Sequence, residues 1–156
     1  RYVEGLTSVE GGYNRTGSRS PMQWDDSLNA GFSTAAPDKL YIPQDSAKDR
    51  PNAAAQMNDS DSLFSEVKRL IAFRQSHAAL RNDGEIAFLQ SGNYPLAYMR
   101  KSGEESLAVV INPSGENVVW GCHADLGQAL YIIGGELTRT NEGWHVPACS
   151  AGVYQL

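Results

Sequence analysis

From Glu85 to Leu156 the chain breaks into short runs with a period of two, and turn residues separate one run from the next. The breaks are Ser91-Gly92-Asn93, Ser102-Gly103, Pro113-Ser114-Gly115, Gly134-Gly135 and Asn141-Glu142-Gly143. Alternation that brief, closed by hairpin-length turns, leaves room for little except antiparallel strands. We place strands at 85–90, 96–101, 106–112, 117–121, 129–133, 136–140, 145–147 and 153–156. Short strands joined this way cover their apolar faces by stacking two sheets, so the fold class is mainly β, an antiparallel β-sandwich.

The region before it has different periods. Asp59, Ser60, Asp61 and Ser62 offer acceptors to a first helical turn, and Leu63, Phe64, Val67, Leu70 and Ile71 recur at helical spacing. Lys68, Arg69 and Arg74 suit a helix C-terminus, and Asn82-Asp83-Gly84 is turn chemistry. One helix is therefore expected from about Asp59 to Leu80. Phe73 falls off its apolar stripe, so the helix is expected to bury more than one face. From Arg1 to Asn58 apolar residues occur singly between Gly11-Gly12, Pro21, Gly31, Pro37, Pro43 and Pro51, which reads as loop. A loop that long inside a compact domain is usually functional or packed on something else.

Several function classes are excluded. A net charge of −5, with the 13 lysines and arginines scattered, argues against nucleic acid. The longest apolar run, Leu107 to Ile111, is strand-sized, so no membrane span is expected. The chain opens on Arg1 with no apolar leader and leaves the compartment open, whether cytoplasmic, periplasmic or secreted. His77, His123 and His145 lie far apart without metal-ligand spacing, so no metal and no cofactor is expected. Cys122 and Cys149 are too few for a disulfide framework and are read as two reduced, semi-buried thiols.

The run Gly12 to Ser18 has the glycine spacing of a P-loop but lacks the lysine, and Pro21 opposes the helix that must follow. Asp25-Asp26, Asp59/Asp61 and Glu104-Glu105 are acid pairs of the kind glycoside hydrolysis needs. Loop, helix start and hairpin turn explain each of them more simply. There is no G-x-S-x-G elbow, and Asn14-Arg15-Thr16 and Asn58-Asp59-Ser60 match the glycosylation triplet, which is too short to carry weight. No catalytic residue is assigned.

The stretch GSRSPMQWDDSLNAGF, Gly17 to Phe32, nevertheless resembles the R-[ST]-P-M-Q-W…A-G-F segment of the alpha-amylase superfamily, in its branch of alpha-glucosidases, oligo-1,6-glucosidases, dextran glucosidases and trehalose synthases. RPNAAAQMNDSDSLFSEVKRLIAFRQSHAAL and the terminal VPACSAGVYQL resemble the segments that follow in that family. The resemblance implies a domain layout: residues 1–82 as the end of a (β/α)8 catalytic barrel, with the loop after the eighth strand and the last helix, and residues 83–156 as the β-sandwich called domain C. It also implies a parent enzyme that cleaves short alpha-glucosides with retention. The catalytic acids of that family lie on earlier barrel strands, outside this chain, so the chain by itself is expected to be inactive.

Arg19 matches the family arginine that helps close the sugar pocket, while Arg15 fits a structural arginine. Gln23 and Trp24 are placed along the approach to the pocket, with burial as a loop anchor the other use for Trp24. Partners implied are alpha-glucoside oligosaccharides and the remainder of the barrel. The apolar helix face, stripped of barrel neighbours, is also suited to self-association. The alternative function is a stand-alone carbohydrate-binding β-sandwich, with Tyr94, Tyr98, Trp120, Tyr131, Trp144 and Tyr154 as stacking aromatics; packing inside alternating strands is the competing use of those rings. Linkage specificity and calcium dependence are not encoded in these residues.

Overall fold

The computed structural model describes residues 9–10, 13–14, 20–40, 44–45 and 47–156. The chain divides into two compact units, Arg1–Arg69 and Leu70–Leu156.

The first unit is less bare than its composition implies. Strands β1 (Val9–Glu10) and β2 (Tyr13–Asn14) pair antiparallel, and 3-10 turns occupy Leu28–Gly31 and Pro37–Lys39. A short helix, α1 (Ala53–Met57), interrupts the stretch expected to be loop. Five residues are too few to show a hydrophobic period, and an isolated helix of that length is not stable in water. Three of the orphan donors of its first turn are met: Ala53 N donates to Gln23 O (2.9 Å), Ala54 N to Trp24 O (2.9 Å), and Ala55 N to the Asn52 side chain (2.8 Å).

Helix α2 (Leu63–Ser76) is shorter at both ends than the expected span. Its cap is Ser62, whose Oγ accepts from Ser65 N (3.2 Å), and Asp59 to Asp61 form a turn ahead of it, with Asp59 Oδ1 accepting from Asp61 N (2.9 Å). At the other end His77 turns extended (φ −112°, ψ 118°) and a 3-10 turn follows at Ala78–Leu80. No residue of α2 is buried, and its apolar stripe is open to solvent, with Leu63 72% and Ile71 52% exposed. The expectation that several faces would be covered therefore fails here. The off-stripe Phe73 is the one that packs, its ring 4.8 Å from Tyr131 and 4.4 Å from His77.

The second unit is the expected sandwich. A five-stranded antiparallel sheet runs in the order β3 (Glu85–Gln90), β4 (Leu96–Ser102), β5 (Glu105–Asn112), β10 (Ser150–Gln155), β7 (Ala129–Ile133). A three-stranded sheet runs β6 (Val118–Trp120), β9 (Gly143–Val146), β8 (Thr138–Thr140). Between them lie Ala97, Ala108, Val110, Trp120, Leu137, Val146 and Tyr154. The opposite face of the large sheet buries Leu107, Val109 and Val153 with Ala79, and Phe73 and Leu80 cover it. That double coverage is why β5 reads as an unbroken apolar run rather than an alternating one: Leu107 and Val109 serve one core, Ala108 and Val110 the other.

Polar side chains hold the two ends of this unit. Glu105 accepts from Ala79 N (2.7 Å) and meets His77 Nδ1 (2.6 Å), and Arg100 Nε donates to Ala79 O (3.0 Å), so the 3-10 turn is tied to β4 and β5. Those bonds hold the Glu105 carboxyl below its ordinary value, the Ala79 N–H contributing most. Fully buried Asn112 donates to Glu116 O (2.8 Å) and Pro147 O (2.8 Å) and so joins two loops.

Candidate functional site

Of the candidate residues named from sequence, Gln23 and Trp24 lie in the turn that follows Ser20. Arg19 and Arg15 lie outside the described residues, and so does the Gly12–Ser18 run apart from Tyr13 and Asn14, which form β2. From Pro21 to Thr34 the backbone folds on itself: Trp24 N donates to Ala30 O (2.9 Å), and Ala30 N to Ser27 O (3.0 Å). Closure requires three successive residues at positive φ, Asn29 (54°), Ala30 (54°) and Gly31 (74°). A residue bearing a Cβ costs about 1–2 kcal/mol there, so the turn must be over-determined by its surroundings. Asn29 provides much of this, donating through Nδ2 to Ser33 O (2.8 Å) and Ala35 O (2.8 Å), while Ala30 is buried. At Gly31 a Cβ would stand 2.8 Å from both Asp25 carboxylate oxygens.

Asp25 organises the near side. Its Oδ1 accepts from Ser27 N (2.8 Å) and Ser27 Oγ (2.5 Å). These two bonds, helped by the charge of Arg50, hold its carboxyl below the ordinary aspartate value. Asp26 accepts from Asn52 Nδ2 (2.9 Å), whose Oδ1 caps α1. One asparagine thus clamps the turn to the helix. Pro51-Asn52-Ala53 carried a readable N-cap signal, and Asn29-Ala30-Gly31 a readable left-handed one; neither was singled out from sequence.

Gln23 and Trp24 reach α1 through their main-chain carbonyls, which leaves both side chains for other work. Trp24 is 53% exposed, so it is not the buried loop anchor, a role that Asn52 and the two carbonyls fill. Gln23 Oε1 is buried and has no hydrogen-bond partner among the described residues, and Arg50 Nε is in the same position. An open cavity of about 660 Å³ adjoins Asp25, Ser27, Phe32 and Thr34.

The acid pairs are structural. Asp25 and Asp26 hold different parts of the turn, Asp59 precedes α2, and Glu105 starts β5 as the staple to Ala79, while Glu104 stays in the hairpin turn. Among the described residues no three His, Cys, Asp or Glu side chains are grouped to hold a metal. Both cysteines are free, and Cys149 is exposed rather than semi-buried, because it occupies a left-handed corner (φ 49°) ahead of β10. The sandwich aromatics pack as core or edge: Trp120 and Tyr154 are buried, and Trp144 lies under the Arg139 guanidinium (5.0 Å). Tyr154 accepts from Leu137 N (3.1 Å), and burial pushes its phenol above the ordinary value. Tyr94 is exposed. No helix among the described residues is long and apolar enough to cross a membrane.

Residues 4–83 match the family description "Alpha amylase, catalytic domain". The oligo-1,6-glucosidase of Parageobacillus thermoglucosidasius is 35% identical over 106 residues, 68% of this chain and 18% of that protein. The glucan 1,6-alpha-glucosidase of Streptococcus pneumoniae is 35% identical over 103 residues, 65% of this chain and 18% of that protein. The chain therefore spans under a fifth of the length of these relatives. Among solved structures, the trehalulose synthase MutB superposes with a TM-score of 0.75 at 26% identity, over 91% of this chain and 26% of that one. An isomaltulose synthase from Erwinia rhapontici NX5, in complex with its natural substrate sucrose, superposes at 0.74 with 28% identity, over 90% of this chain and 25% of that one.

Proposed function

Since this chain belongs to the alpha-amylase family, we propose that it is the C-terminal part of an alpha-glucosidase-type glycoside hydrolase that acts on short alpha-glucosides with retention. Residues 1–82 complete the catalytic barrel and residues 83–156 form domain C. The observation that carries this reading is the Arg19–Trp24 run of the sequence, within a family match that covers residues 4–83.

Retaining hydrolysis needs one carboxylate as nucleophile and one carboxylic acid as proton donor. Asp25, Asp26, Asp59 and Glu105 hold turns and strands, the catalytic pair of the family lies on earlier barrel strands in the rest of the parent, and this chain alone is inactive. Its own contribution is to position side chains. Arg19 closes the pocket, its planar guanidinium able to bridge a carboxylate and donate to sugar hydroxyls. Gln23 and Trp24 line the approach, Gln23 with an unused buried acceptor and Trp24 with an open ring face. The uncovered stripe on α2 takes the remaining barrel as its neighbour, and in the isolated chain it promotes self-association.

The test is an assay of the full-length parent on maltose, isomaltose, sucrose and trehalose beside titration calorimetry of this chain with the same sugars. Turnover by the parent with neither turnover nor binding by the chain is the expected outcome. A parent inert on all four sugars overturns the enzyme assignment. Millimolar or tighter binding by the chain favours the stand-alone carbohydrate-binding sandwich.

A further inference from the structure

Strand β3 ends the five-stranded sheet, and among the described residues it pairs with β4 alone. Every second residue of such a strand turns its N–H and C=O away from the sheet, so β3 presents a row of donors and acceptors that another strand would meet in full. Edges of this kind are ordinarily blunted by lysine, proline or a bulge. The run Glu85-Ile86-Ala87-Phe88-Leu89-Gln90 has neither lysine nor proline. Its bulge falls at Leu89 and leaves Glu85 to Phe88 in regular register with Lys101 to Tyr98. The opposite edge of the sheet, β7, has no exposed residue, whereas Ile86, Phe88 and Leu89 of β3 are exposed, Phe88 at 63%.

The strand is also complementary to itself. When two copies of β3 pair antiparallel about a two-fold axis at Ala87, Ile86 of each copy stands opposite Phe88 of the other, an aromatic and β-branched pair of the kind that stabilises a ladder. The Tyr98 ring, edge-on to Phe88 with centroids 6.3 Å apart, continues the apolar row into each sheet. Charge agrees with this register. Glu85, the one charge of the strand, has Lys101 opposite it on β4 and meets Leu89 of the second copy, so no like charges face each other. A two-fold pairing closes at two copies, whereas β3 laid on β7 would continue without end, and the covered β7 lacks exposed apolar residues to receive it.

We propose that β3 is a dimerisation edge, on which a second copy of the protein lays its own β3 and joins the two five-stranded sheets into one. The mode is strand addition, with main-chain hydrogen bonds providing the affinity and the Ile86–Phe88 pairs the register. It is separate from association of the isolated chain through α2, a stripe assigned above to the remaining barrel, and it is independent of the substrate of the parent.

The test uses the full-length parent, in which α2 has its neighbours. Light scattering over a concentration series gives the mass, and amide exchange at low and high concentration gives the protection of residues 85–90. The expected result is a dimer whose 85–90 amides gain protection as it forms. Phe88→Lys and Ile86→Lys, both at exposed positions, each raise its dissociation constant about tenfold or more, because both Ile86–Phe88 pairs are lost at once. Thr138→Lys, which places the same charge on exposed β8 at an edge of the other sheet, leaves the dissociation constant unchanged. A parent that stays monomeric overturns the proposal, including the case in which the 85–90 amides are protected at every concentration because the rest of the parent covers them. A dimer indifferent to both lysine variants overturns it as well.

Discussion

Glu105 ties the 3-10 turn after α2 to β5. Its two carboxylate oxygens take different partners, Oε2 the main-chain N–H of fully buried Ala79 (2.7 Å) and Oε1 the His77 ring (2.6 Å). Glu105→Ala leaves the Ala79 N–H without an acceptor in a place water does not reach. An orphaned buried donor costs about 1–3 kcal/mol, and a hydrogen bond to a charged group contributes about 1.5–3 kcal/mol. The Glu105 side chain keeps 30% of its surface, so solvent screening puts the His77 bond near the foot of that range. The sum expected for Glu105→Ala is about 2–4 kcal/mol.

Glu105→Gln keeps an acceptor for Ala79 and loses only the charge, at about 1 kcal/mol. The folded-state pKa of Glu105 is lowered from 4.5. Its charged form therefore adds stability that is fully present above about pH 4.5 and disappears as the pH falls through the folded-state value. Urea unfolding of wild type, Glu105→Ala and Glu105→Gln at a series of pH values from neutral to acid reads all of this. The gap between wild type and Glu105→Gln should close in acid, while the Glu105→Ala defect persists in part. A Glu105→Ala cost under about 0.5 kcal/mol at neutral pH, or a glutamine gap indifferent to acid, refutes the argument.

Three further outcomes are expected. Gly31→Ala combines positive φ with a 2.8 Å approach to Asp25, so it destabilises the turn by about 1–2 kcal/mol or more and raises amide exchange across residues 25–35. Asn52→Ala removes the α1 cap and the Asp26 tie; it costs about 1 kcal/mol or more in thermal unfolding and releases the α1 amides first. Thiol titration of the native protein gives two reactive equivalents with no reductant present, Cys149 reacting before the partly buried Cys122.

Strands at 85–90 and 129–133 stand where the alternation put them, and β4 and β5 differ by a residue at one end. Here local signals were enough, since turn residues stand beside each of these strands. The last strands shifted more: β9 begins at Gly143, inside a segment read as turn, and β10 at Ser150, three residues ahead of the strand placed at 153–156. Their pairing partners, Trp120 with Trp144 and Asn112 with Ser150, come from distant strands, so local composition does not specify where the ladder starts. The site was legible in part. Gln23 and Trp24 were named from their motif, but the hydrogen bonds that the α1 amides donate to their carbonyls span thirty residues and leave no local period.

By itself, then, the sequence determined the elements whose stabilising partners are neighbours in the chain: the α2 repeat with Ser62 at its head, the hairpin turns, and the mainly β class. It also determined, through the Pro21–Trp24 run and the segments after it, which family the chain resembles. Only the tertiary structure decided that β5 is buried on both faces, that Phe73 rather than the apolar stripe of α2 meets the sheet, and that Glu105 is a staple to Ala79. The same holds for the left-handed turn clamped by Asn52. The reason is physical: periodicity records which side of an element is apolar, whereas coverage and the pairing of single polar atoms depend on what the rest of the chain brings opposite them.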